Sequence, residues 1–281
     1  MSQAFHRPPE EGSGAAGPVD ARAARAPDEG PRAPAAPDGA AASAMQGPAA
    51  VWTPFVASNG CQVDVACTLD PVIELKGRTT IGLRLRRSVA DATSGREFSA
   101  PELARLSRSD RLRIDLGAIT LGLGELHRSR PEALPLTLIL PVSFSSLSNL
   151  DDRTRIVGAF QEARAYARQG LICELRDIDG VPATTLQTAA TMIGPSSLFV
   201  VGHLEAFTRI EARVLKEAGL RGISTESPPF LDQAEFLDWA TRTVAAGKHA
   251  ARSVLIYRML LPQQAAVAAA VGATHAHVIG V

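Results

Sequence analysis

From residue 60 to its C-terminus this chain repeats one unit: a short apolar run, a turn, and a segment with helical periodicity. Leu136 to Val142, Leu171 to Leu175, Leu198 to Val201, Arg221 to Ser224, Ser253 to Tyr257 and His275 to Ile279 are too short for helices and read as buried strands. Between them lie five helical segments. The first opens at Asp151 and Asp152, shows Ile156, Val157 and Phe160 on one face, and stops at Gly170. The others are Pro182 to Ile193, Glu205 to Ala218 closed by Gly219, Leu231 to Ala246 closed by Gly247, and Pro262 to Val271 closed by Gly272. An earlier helix starts at the capping box Ser99-Ala100-Pro101-Glu102 and runs through Leu103, Leu106 and Leu112 toward Ile119 and Leu123. Before it, Val63 to Leu69 and Thr79 to Leu85 flank the turn Lys76-Gly77 as two strands. Buried strands alternating with helices imply an α/β fold with a largely parallel sheet. About eight strands in roughly 230 residues fit one TIM-type (β/α) barrel. An open doubly wound sheet is the rival. It would carry a glycine-rich dinucleotide turn, and no G-x-G-x-x-G is present.

Charge and composition exclude several roles. Lys and Arg number 29 against 29 Asp and Glu, so there is no electrostatic footprint for nucleic acid. No apolar stretch approaches the ~18 residues of a membrane span. The polar stretch Met1 to Glu10 lacks the apolar core of a secretory signal. Cys61, Cys67 and Cys173 form no C-x-x-C pair and leave an odd count, which speaks against a disulfide framework or thiolate zinc site and fits a reducing cytoplasm. Thirty of residues 1–50 are Ala, Pro or Gly. That tail is predicted to be disordered, either as a tether or partner-binding arm or as a flexible leader. The barrel is expected over residues 51–281.

The order of segments over about residues 60–281 resembles the EAL-domain family, the bacterial cyclic di-GMP phosphodiesterases. Asp70-Pro71-Val72-Ile73-Glu74-Leu75 resembles the family's opening Q-P-I-V-D-L strand, and Thr79-Thr80-Ile81-Gly82-Leu83-Arg84-Leu85-Arg86 lies where it has I-V-G-x-E-A-L. Phe98-Ser99-Ala100-Pro101-Glu102 resembles the approach to its first helix. Ser143 follows a strand as in its N-x-S motif, and Glu174-Leu175-Arg176-Asp177 resembles its E-L-T-E. The resemblance implies an antiparallel first barrel strand, which the 63–85 hairpin would supply. It also implies phosphodiester hydrolysis by Mg²⁺ or Mn²⁺ held by several oxygens at the strand ends.

Most of those oxygens are missing. Arg84 aligns with the E-A-L glutamate and Pro141 with the metal-binding asparagine; Glu174 alone survives from E-L-T-E. Gly202-His203 replaces the D-D pair, Gly222 and Ser224 replace the lysine and aspartate of K-I-D, and Tyr257-Arg258-Met259-Leu260 replaces E-G-V-E. The final Q-G is absent around His277 to Gly280. The expectation is a barrel that holds no metal or other cofactor and does not hydrolyse cyclic di-GMP.

Other residues invite chemistry. His275 and His277 share a strand face, as a metal pair or as rim contacts. His203 is a candidate acid or base at a strand end. Glu174 and Asp177 can be read as paired carboxylates, or Glu174 as the neutraliser of Arg84 inside the vacated pocket. Arg105, Arg108, Arg111 and Arg113 form a basic helix face diluted by Asp110 and Asp115. Ser143, Ser145, Ser146 and Ser148 form a loop able to meet a phosphate.

Three functions follow. The first is a regulatory barrel, as a monomer or a homodimer, that binds a protein partner; its helix over Leu231 to Ala246, with Phe236, Trp239 and Ala240, offers apolar surface. The second is a metal-independent cyclic di-GMP receptor using Arg84, Arg86, Arg176 and Tyr257. The third is an unrelated barrel enzyme acting on a phosphorylated metabolite, which eight parallel strands would favour.

Overall fold

Two strands of thirteen residues, β3 (Gln62–Glu74) and β4 (Thr79–Asp91), form the hairpin from which the barrel is built. The structure is a computed structural model that describes residues 50–51, 54–129, 137–205, 212–229 and 232–280. The tail expected over 1–50 thus lies outside the described residues, except for Ala50. Two short strands, β1 (Ala50–Val51) and β2 (Phe55–Val56), pair antiparallel with β3. The hairpin is longer than its apolar runs suggested because β3 and β4 stay paired beyond the barrel wall, out to Val63 opposite Asp91.

After β4 the alternation proceeds as predicted. The strands are β5 (Thr137–Ser143), β6 (Gly170–Arg176), β7 (Phe199–His203), β8 (Gly222–Glu226), β9 (Ser253–Met259) and β10 (His275–Val278). The helices are α1 (Ala100–Arg105), α2 (Arg108–Ser129), α3 (Leu150–Ala163), α4 (Ala183–Ile193), α5 (Ala212–Glu217), α6 (Gln233–Ala250) and α7 (Pro262–Val271). Strands β4 to β10 pair in parallel, each with the next. β3 closes the ring, antiparallel to both β4 and β10. A tight turn can join only antiparallel strands, whereas the parallel ones need their helical crossovers. The antiparallel β3 counts against the unrelated enzyme. No described helix is long and apolar enough to cross a membrane.

Several boundaries differ from the periodicity. The helix expected from Ser99 to Leu123 is two: Leu106 is extended, and Ser107 Oγ accepts from Asp110 N at 3.2 Å to start α2 afresh. Gly170 does not cap α3, which ends at Ala163; at φ +110° it starts β6. Gly247 lies buried inside α6. The helix expected over Glu205 to Ala218 is described only as α5, residues 206–211 lying outside the described set. Gly272 does end α7, in the left-handed region at φ +95°. The apolar surface expected on α6 is also corrected. Phe236 and Ala240 are buried with Val254 and Ile256 beneath the helix, and Trp239 packs on the same cluster.

The barrel interior has an apolar floor of Val72, Ile139, Ile172, Val201 and Leu255, topped by Tyr257. Period-two alternation sends the next inward positions toward the C-terminal mouth of the parallel strands. They are Arg84, Pro141, Glu174, His203, Ser224 and His277.

Candidate functional site

Arg84 and Glu174 dominate this inward layer. Arg84 Nε donates to Glu174 Oε2 at 2.7 Å and Nη2 to Oε1 at 2.8 Å, both side chains being fully buried. They stand on β4 and β6, two strands apart, so the guanidinium must cross β5. Neighbouring strands are ~4.8 Å apart, which makes the gap nearly 10 Å and needs a side chain of arginine's length. Pro141 is the inward residue of β5 between them and offers no polar group that competes. The guanidinium also lies 4.0 Å from the centroid of the Tyr257 ring. Its Nη1 is 3.5 Å from Glu226 Oε1, and Arg258 reaches the other Glu226 oxygen at 3.4 Å. The alternative in which Glu174 neutralises Arg84 therefore describes the geometry.

The charge states follow. Burial alone would raise the Glu174 pKa, but the charge and hydrogen bonds of Arg84 hold it well below the carboxylate range. Arg84 is raised despite its burial, because Glu174 faces it. His203 Nδ1 lies 3.0 Å from Glu174 Oε1 and 3.1 Å from Ser224 Oγ. Burial, and then the Arg176 charge, push His203 down to about 4, so it is neutral at pH 7 and its contact with Glu174 is a hydrogen bond. Burial likewise keeps the Tyr257 phenol protonated.

Above this layer is a cavity of about 130 Å³, lined by Arg86, Arg87, Arg176, Asp177, Glu226 and Arg258 among others. Arg84, Glu174, His203 and Tyr257 are not in its lining. A ligand seated there would meet Arg86, Arg176 and Asp177 of the sequence candidates, so Glu174 and Asp177 do not face one space as a carboxylate pair. Arg86 is paired with Asp70 at 3.0 Å, and His277 Nδ1 lies 3.7 Å from the same carboxylate oxygen. Asp177 and Arg258 adopt the left-handed region at φ 57°, at a cost of about 1–2 kcal/mol each for a residue with a Cβ. Such strain tends to gather at functional rims.

Among the described residues no three His, Cys, Asp or Glu side chains converge to hold a metal ion. His275 bonds Thr274 while His277 faces Asp70. The divalent cation that the resemblance implies does not fit here: its one surviving ligand already has both oxygens on Arg84.

Sequence reading missed Asp115. This carboxylate of α2 is fully buried and accepts from Ser143 N at 2.9 Å, Ser143 Oγ at 3.2 Å and Ser146 Oγ at 2.7 Å, with Arg87 paired beside it. Two hydroxyls of the serine loop are thus committed to the protein and not to a phosphate. The signal was present: Asp115 shares the helix face of Leu112 and Ile119, both buried. Asp110 is buried as well, bonded to Ser58 and Ser107. Neither acid belongs to a solvated basic face.

No family model and no curated protein matches the chain. Solved structures do. The EAL enzyme Bd1971 in its cAMP-bound form superposes with a TM-score of 0.51 at 12% identity, covering 76% of this chain and 61% of that one. The FimX EAL domain from Pseudomonas aeruginosa bound to c-di-GMP gives 0.52 at 16%, covering 76% and 88%. Klebsiella pneumoniae BlrP1, a calcium and cy-diGMP complex, gives 0.54 at 11%, covering 82% and 57%. The chain therefore spans about three fifths of Bd1971 and of BlrP1. At these identities the likeness establishes the fold: this is an EAL-type barrel with the antiparallel strand in the expected place.

Proposed function

We propose that the chain is a non-hydrolytic regulatory module on an EAL-type barrel, acting in cyclic di-GMP-related signalling by binding and passing its state to a protein partner. One observation carries the reading: the bidentate Arg84–Glu174 pair fills the space where a hydrolytic barrel needs an open carboxylate. Hard divalent ions need several converging oxygens and an activated water. A fixed guanidinium repels the cation and occupies the remaining ligand. The test is incubation of the purified protein with cyclic di-GMP in Mg²⁺ and in Mn²⁺, with products separated by chromatography. No linear product above the buffer rate is expected; turnover that disappears in Glu174→Ala overturns the proposal.

The rim favours a second reading, a metal-independent cyclic di-GMP receptor. Arg86 and Arg176 line one cavity, and guanidinium groups suit phosphates in bidentate geometry. At about 130 Å³ the cavity is below the roughly 300 Å³ of small ligand pockets. A dinucleotide would therefore rest across the mouth. Titration calorimetry tests this reading. Absence of heat at ligand concentrations on the order of tens of micromolar removes it.

A further inference from the structure

The opposite end of the barrel holds a second cavity, of about 470 Å³, lined by Lys216, Arg221, Lys248, His249 and Arg252 with small residues between them. It lies where α5 and α6 end and β8 and β9 begin. Among the described residues no acidic side chain is in its lining. Among the described residues, none of Lys216, Arg221, Lys248 and Arg252 forms an ion pair. The chain as a whole is neutral and has only the lysines Lys76, Lys216 and Lys248, so two of its three lysines meet at this point.

Register makes this more than a loose surface patch. Gly222 pairs with Ser253, and Ser253 N donates to Arg221 O at 3.4 Å. Arg221 and Arg252 therefore immediately precede two paired strand starts, about one inter-strand spacing (~4.8 Å) from each other. Like charges fixed opposite one another destabilise a sheet unless an anion relieves them. Basic residues at helix C-termini also complement the helix dipole, and two helices end here. Each end amounts to about half a negative charge, so together they offset about one of four positive charges. Lys248 has a further role: its Nζ lies over Gly272, at the end of α7, where any side chain would collide with it. Lys216, Arg221 and Arg252 remain uncompensated around a space of ligand size.

We propose that this cavity binds a small molecule carrying clustered phosphoryl groups. Charge-assisted hydrogen bonds from two neighbouring guanidiniums fit adjacent phosphoryl oxygens, and Lys216 supplies a third cation. The site is independent of the mouth and of the function proposed for it.

The test is titration of the full chain with sodium tripolyphosphate, alongside sedimentation with phosphatidylcholine vesicles containing phosphatidylinositol bisphosphate. Wild type should bind tripolyphosphate with an affinity that weakens as salt rises. Arg221→Ala/Arg252→Ala should lose at least about tenfold in affinity. Arg155→Ala/Arg164→Ala, which removes the same charge from exposed positions in α3 and just after its end, should bind as wild type, and all three proteins should melt together. Binding of tripolyphosphate assigns a soluble ligand; binding of the vesicles alone assigns a lipid headgroup. Binding of neither probe, or binding unchanged in Arg221→Ala/Arg252→Ala, overturns the site.

Discussion

Arg84 and Glu174 form a buried two-point ion pair across a strand to which neither belongs, at 2.7 and 2.8 Å. A buried pair of this kind is a weak source of net stability but is costly to break, since the survivor is left charged and unpaired. It is also a local decision about chemistry. In the proposed reading, the positive charge that a hydrolytic barrel would borrow from an ion is supplied by the Arg84 guanidinium.

Removing one partner should therefore be severe. Arg84→Glu places two carboxylates face to face and should cost about 3–5 kcal/mol in urea unfolding. Arg84→Met combined with Glu174→Leu should recover most of that loss, because apolar replacement of both partners removes the stranded charge. An Arg84→Glu protein as stable as wild type would contradict the geometry.

Acid should destabilise the barrel through His203. The ordinary histidine value is 6.5 and the folded value about 4. Below pH 6.5 the unfolded chain binds the extra proton first, so stability falls with falling pH, by about 3 kcal/mol at pH 4 from this group. Glu174 acts lower: its stabilisation is complete above the unfolded carboxylate value and is lost progressively as pH falls from there through its depressed folded value. His203→Gln should flatten the stability profile between pH 6.5 and 4, read by denaturant midpoints.

Asp115 fixes the turn after β5. Asp115→Ala leaves the half-buried Arg87 without its acid and frees Ser143 and Ser146, and should cost about 3–5 kcal/mol. Amide exchange at 143–147 should accelerate more than exchange in β9, which a global loss alone would not produce.

Gly82 permits β4 to approach β5. A Cβ there would overlap the backbone oxygen of Thr137, which cannot step aside without opening the sheet. Gly82→Ala should lower the melting temperature by more than the same exchange at Gly158, where added bulk meets nothing.

The barrel was legible in the sequence because each strand is a short Leu-, Ile- and Val-rich run between helical periods, and the antiparallel β3 because Lys76-Gly77 leaves no room for a crossover. Arg84 facing Glu174 was legible too, since a base had replaced an acid at one position and spared its neighbour in space. Asp115 was not, because its partners lie 28 and 31 residues away and its arginine neighbours suggested a wet helix face. The basic cavity was not legible either: Lys216 and Arg221 join Lys248 and Arg252 only through the register of β8 with β9. Helix ends at Gly170 and Gly247 failed because glycine also starts strands and packs inside helices.

The most direct measurement is a manganese titration followed by electron paramagnetic resonance, where bound Mn²⁺ loses its free-ion signal. The full signal is expected to stay free in wild type at equimolar and higher protein. Stoichiometric loss of signal, reversed by Glu174→Gln, would contradict it.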